Sequence, residues 1–218
     1  MKNGHFDGCA TPDSCWCEIK RYSLVFVLAA IIFIAEAIGG IISGSLALLA
    51  DAGHVFTDAV AILVSIVAAH FVRTKRWHEH SVRGVGGIIN ALLLLVIAVW
   101  IGIEGIDRID HPRDIVSETM IIIAVLGTLG NWAQYYVLGT LEKEHVTHKA
   151  MRLHILSDLL QSVVVVLGGI AIYFTDKHII DPVLSVSIAL WMAWRAWDLI
   201  IHIRNSNKRH KHHGHHHH

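Results

Sequence analysis

The stretch LALLADAGHVFTDAVAILVSIVAAHFV, residues 46–72, decides the fold. It is longer than the roughly 20 mostly apolar residues that a helix needs to cross a bilayer, yet it carries Asp51, His54 and Asp58. In hydrocarbon a lone segment satisfies its backbone hydrogen bonds only as a helix. Outward from it, comparable runs stand at residues 22–42, 85–107, 115–140, 150–174 and 182–203. The chain is therefore read as all-α, a six-helix transmembrane bundle embedded in a lipid bilayer.

Composition agrees. Of 218 residues, 54% are hydrophobic and the mean hydropathy is +0.52, outside the range of soluble domains. The formal net charge is zero with His neutral, so the basic footprint of a nucleic-acid binder is absent and no nucleic-acid partner is expected. Basic residues are lopsided between connections. Lys2, Lys20, Arg21, Arg73, Lys75, Arg76, Arg83, Lys143, Lys149, Arg152, Arg204, Lys208, Arg209 and Lys211 fall on one side, against Arg108, Arg113 and Lys177 on the other. The positive-inside rule places the N- and C-termini in the cytoplasm. The first apolar run is too long for a signal peptide and follows about 20 polar residues, so it reads as a retained helix. Such an N-terminus suits a bacterial inner (plasma) membrane. Three regions result: a cytoplasmic Cys/His-containing segment at 1–21, the six-helix domain at 22–203 and a His-rich tail at 204–218.

Among the connections, residues 39–45 are too few for anything but a hairpin, and 107–117 and 175–181 are short, the latter followed by Pro182 at a helix start. The connection at 73–83 is charged and His-bearing, and 142–152 is polar at helical spacing, a candidate extension of the fifth helix. One internal echo stands out: His54-Val55-Phe56-Thr57-Asp58 in span two and His154-Ile155-Leu156-Ser157-Asp158 in span five. These spans run in opposite directions, the pattern of an inverted-repeat transporter with its site at the repeat interface. A five-residue echo also arises by chance.

Residues i and i+4 share a helix face, so each motif projects one imidazole and one carboxylate together. An Asp at mid-membrane costs roughly 2.5–3.5 kcal/mol on the insertion scale, which something must offset. If the two helices face one another, His54, Asp58, His154 and Asp158 form a two-nitrogen, two-oxygen set that suits tetrahedral zinc. The plain alternative for either pair alone is a His–Asp hydrogen bond at a helix contact. Glu36 and Asp51 are further intramembrane carboxylates, candidates for a proton acceptor, a group supporting the ligands or a member of an entry path, with a helix–helix polar contact as the alternative. Asn90, Asn131, Gln134, Gln161 and Ser162 read as interhelical hydrogen-bond partners.

Charge balance suggests a mechanism. Zinc with two carboxylates and two neutral imidazoles is neutral, whereas the same ligands deprotonated without metal leave two negative charges in a low-dielectric region. Metal binding needs deprotonated ligands and releases protons, and His titrates near neutrality. Alternating access around the site therefore exchanges zinc for protons, the coupling ion.

The segment from Gly44 through Asp51 to His54 and Asp58 resembles the second transmembrane helix of the cation diffusion facilitator family. The resemblance continues through Asn90 to Leu94, His154 to Ser162 and Asp181-Pro182-Val183-Leu184-Ser185. It implies a homodimeric, proton-coupled efflux transporter of zinc, with cobalt or cadmium as minor cargo, and His54, Asp58, His154 and Asp158 as its transport site. In this family an Asp in place of the span-two His goes with broader metal use, so two His-and-Asp motifs resemble zinc-selective members. Two departures stand. The family usually continues into a cytoplasmic metal-binding domain, where only residues 204–218 follow here, so the protein is naturally short or the chain has been cut. The family also often places a Glu near the start of the third helix, where this chain has Arg83-Gly84.

Some of the remaining His and Cys offer secondary metal sites, whereas His70, His111, His145, His148, His178 and His202, near helix ends or in loops, are expected to have interfacial roles. His78 and His80 flank Glu79 in the second connection, with a solvated polar loop as the alternative. Cys9, Cys15 and Cys17 would stay reduced on a cytoplasmic face and are thiolate candidates, with a disordered tail as the alternative. The terminal His cluster is a native metal-capturing tail or partly an affinity tag. Rival functions are a metal-gated channel or sensor and a membrane metalloenzyme; the latter lacks a His-Glu-x-x-His motif, and an enzyme is not expected.

Overall fold

The computed structural model describes residues 12–73, 79–139 and 146–213, with side chains over 23–64, 86–137 and 156–204. Among the described residues six helices follow in order: α1 Pro12–Ser43, α2 Leu46–Arg73, α3 Glu79–Asp110, α4 Ser117–Gly139, α5 Val146–Thr175 and α6 Ile180–His213. Each contains a segment long and apolar enough to cross a membrane, from Ser23–Ser43 in α1 to Ile180–Arg204 in α6. The expected all-α bundle is what the chain forms, and it is a multi-pass integral membrane protein.

Several helices outrun their apolar windows. The second connection, expected as a loop over 73–83, is shorter, because α3 already begins at Glu79; polar residues continue a helix readily once its apolar part is anchored. The extension expected for the fifth helix is present, from Val146. Pro182 stands two residues inside α6, which opens at Ile180, still in the first turn where a missing N–H breaks no helical bond.

The α1–α2 hairpin turns on only Gly44 and Ser45. Gly44 adopts φ +74°, a left-handed conformation that suits glycine at a helix C-terminus. Ser45 caps α2, its Oγ accepting from Leu48 N at 3.1 Å. A carboxylate from α6 strengthens that cap: Asp181 accepts from Ser45 Oγ at 2.6 Å, Leu46 N at 2.8 Å and Ala47 N at 3.1 Å. Negative charge is favoured there because the helix dipole and unpaired amides point at it. From α3, Arg108 donates to the Gly44 carbonyl at 2.7 Å and pairs with Glu104 at 2.9 Å. His178, which the sequence left with no more than an interfacial role, accepts the Ile115 N–H at its Nδ1, 3.0 Å away.

Packing pairs α3 with α6, α4 with α5, and α1 with both α2 and α4. The core holds Leu46, Leu48, Ile101, Met120, Val165, Ile172 and Met192, all fully buried or nearly so. Ile31, Val96, Ile103, Leu167, Leu190 and Trp197 point outward, where a spanning helix meets lipid. Between α1 and α4 the approach is close: a Cβ at Gly39 would stand 2.7 Å from both Ile123 Cγ atoms, and one at Gly127 would collide with Glu36 Oε1. Small residues allow such approaches in membranes, where association depends on packing and polar contacts.

Candidate metal centre

α2 and α5 lie antiparallel, since α2 starts and α5 ends at the end of the bundle that Asp181 holds together. Their register is set by a polar relay across three helices. Asn131 of α4 donates to Ser162 Oγ at 2.8 Å, Ser162 donates to Asp51 Oδ2 at 2.8 Å, and Gln161 donates to Asp51 Oδ1 at 2.9 Å. Asp51 is thus held at the α2–α5 contact. One turn further along α2 comes His54, and one turn back along α5 comes Asp158. Antiparallel helices in this register bring those two residues opposite one another.

They meet. His54 Nε2 lies 2.9 Å from Asp158 Oδ1 and 3.6 Å from Asp58 Oδ2 on its own helix. One donor atom from each of His54, Asp58 and Asp158 falls within 4.8 Å of the others. A tetrahedral zinc with bonds of about 2.0–2.2 Å spaces its donors about 3.4 Å apart, so small side-chain adjustments bring these three onto one ion. His54 is 1% and Asp158 8% exposed, and the Asp58 side chain 19%, which leaves one sheltered side and one more open side.

Of the four ligands expected from sequence, three converge. His154 belongs to α5, one turn before Asp158, but its side chain lies outside the described residues. The same holds for the side chains of His80, Cys15 and Cys17, while Cys9 and His78 lie wholly outside them. Asp51, expected as a proton or ligand-supporting group, lies at the α2–α5 contact, where it accepts from Ser162 and Gln161. Glu36 is fully buried at the α1–α4 contact, and neither carboxylate oxygen has a hydrogen-bond partner among the described residues. Of the expected interhelical partners, Asn131, Gln161 and Ser162 act as such, whereas the buried Asn90 Oδ1 has no partner among the described residues.

One residue had no part in the expected site. Arg195 of α6 places Nη1 3.3 Å from Asp158 Oδ1 and 3.4 Å from His54 Nε2. When His54 carries its proton on Nε2, that nitrogen cannot also accept, and the guanidinium bonds to the carboxylate. A basic residue within an otherwise apolar span is the signal that would have found it, since such groups are rare there and face the bundle interior.

Comparison with known proteins bears on these residues. Residues 23–203 match the family model of the cation efflux transmembrane domain. The chain is 37% identical over 188 residues to the zinc transporter ZitB of Pectobacterium atrosepticum, covering 83% of this chain and 58% of that protein. It is 34% identical over 188 residues to the metal cation efflux system protein CzcD of Cupriavidus metallidurans, covering 83% and 59%. It is 31% identical over 180 residues to a cadmium, cobalt and zinc/H(+)-K(+) antiporter of Bacillus velezensis, covering 78% and 57%. The chain thus spans less than two thirds of the length of these bacterial relatives, which are named as transporters and efflux proteins, not as enzymes.

Proposed function

Because this chain belongs to the cation efflux transmembrane family, the cation diffusion facilitators that its motifs resemble, we propose that it forms the membrane part of a divalent metal exporter of the bacterial plasma membrane. Zinc is the first cargo, with cobalt and cadmium as lesser ones. The observation that carries this reading is the convergence of His54, Asp58 and Asp158 from two helices on one buried point. His154 completes the set as the fourth ligand. Relatives named for zinc, and for cadmium, cobalt and zinc together, support the choice of metals.

Export is coupled to protons. Without metal, Asp58 and Asp158 bring two negative charges into a poorly hydrated site and Arg195 offsets only one of them, so proton binding favours the metal-free ligands and metal binding expels protons. The antiporter name of the Bacillus relative points the same way. Both termini are cytoplasmic, and the working unit is a homodimer. The His78/His80 pair and Cys9, Cys15 and Cys17 serve as capture sites that raise the local metal concentration before entry.

The test is zinc flux into proteoliposomes carrying a zinc-sensitive dye, with and without an imposed pH gradient. Gradient-driven flux in the parent and none in Asp158→Ala is the expected result. Equal flux in both would overturn the site; flux indifferent to the gradient would leave a metal-gated channel and remove proton coupling.

A further inference from the structure

The reading of His54, Asp58 and Asp158 as the transport site leaves Arg195 unexplained, and the inference below rests on that reading. We propose that Arg195 is a tethered competitor of the transported metal: its guanidinium engages the ligand atoms that the metal uses, and so sets metal affinity low enough for release.

Nη1 stands 3.3 Å from Asp158 Oδ1 and 3.4 Å from His54 Nε2. Zinc bonded to both of those atoms at about 2.1 Å lies within about 4.5 Å of Nη1, wherever around them it sits. A dication and a guanidinium that close, in a site where His54 and Asp158 are buried, repel strongly because little water screens them. Arginine cannot relieve the repulsion by losing its proton. Metal entry therefore drives the guanidinium outward, or metal binds against its field. Affinity falls in either case.

The side chain has somewhere to go. It is 22% exposed, and Asp198, exposed and three residues on along α6, is an i,i+3 neighbour able to receive it. Asp58 belongs to the ligand set that the metal takes, and Asp51 is engaged by Gln161 and Ser162. When metal leaves, the guanidinium returns to Asp158 and neutralises one of the two carboxylates. An exporter needs this, because a neutral four-ligand zinc site binds tightly and gives up its ion slowly.

Zinc-binding isotherms on the full chain in nanodiscs test the proposal, with Arg195→Gln, Asp158→Ala and the parent compared at one pH. Arg195→Gln is expected to lower the zinc Kd by about tenfold or more, the effect of one close charge. In proteoliposomes it lowers KM and also lowers kcat, a split that a merely structural role does not produce. Unchanged or weaker binding in a folded Arg195→Gln protein overturns the competitor role. If Asp158→Ala abolishes binding while Arg195→Gln fails to tighten it, only this inference falls; if Asp158→Ala binds zinc like the parent, the site itself falls and takes the inference with it. Should Arg195→Gln not fold, Asp198→Asn carries the test: removal of the exposed acceptor weakens zinc binding by about twofold, and unchanged binding overturns the proposal.

Discussion

Ser45 and Asp181 are 136 positions apart in sequence, yet Ser45 Oγ donates to Asp181 Oδ1 across 2.6 Å, so that α6 caps the helix that carries the metal ligands. Two further amides, of Leu46 and Ala47, share the same carboxylate. Asp181→Ala leaves all three buried donors short of a partner. A loss of about 2 kcal/mol or more is expected, from the worth of a cap and of charge-assisted hydrogen bonds. Thermal unfolding in detergent measures it, and a melting point equal to the parent's contradicts the cap.

Ser162 links Asn131 to Asp51, and through Asp51 positions His54 against Asp158. Ser162→Ala removes the relay without touching a ligand. Zinc affinity is expected to fall about tenfold, the low end for loss of a group that orients metal ligands. Isothermal titration against the parent decides, and affinity within twofold of the parent's counts against the relay.

Zinc itself stabilises the fold if the three converging residues bind it, because the ligand set is assembled only in the folded state. At about 100 times the Kd the gain is about 2.7 kcal/mol. Melting should rise with zinc in the parent, drop back on chelation, and show no zinc dependence in Asp158→Ala or Asp58→Ala.

The contact of α1 with α4 depends on a missing side chain at Gly39, where an added Cβ would sit 2.7 Å from two atoms of Ile123. Ile123 is β-branched and cannot rotate aside cheaply. Gly39→Ala is expected to destabilise by about 1–2 kcal/mol, the overpacking cost exceeding the helix-propensity gain. Gly102, where an added Cβ would stand 3.9 Å from Ala189 Cβ, is the control: Gly102→Ala should be neutral or stabilising in the same melt.

What the sequence determined by itself was local. Hydropathy over about 20 residues marks a spanning helix, and helical periodicity puts His54 beside Asp58, so six spans and half of the metal site were legible before any coordinates. That the two motifs belong together was legible only as an echo, since an echo carries no distance. Tertiary structure decided which faces meet. Lipid tails are as apolar as leucine side chains, so a membrane helix shows little amphipathic contrast between the face toward lipid and the face toward a neighbour. For that reason the Asp51–Ser162 register, the reach of Asp181 across to Ser45 and the arrival of Arg195 beside Asp158 could not be read along the chain. Each is a contact between helices far apart in sequence, and each follows from how the bundle packs and not from how any one helix is written.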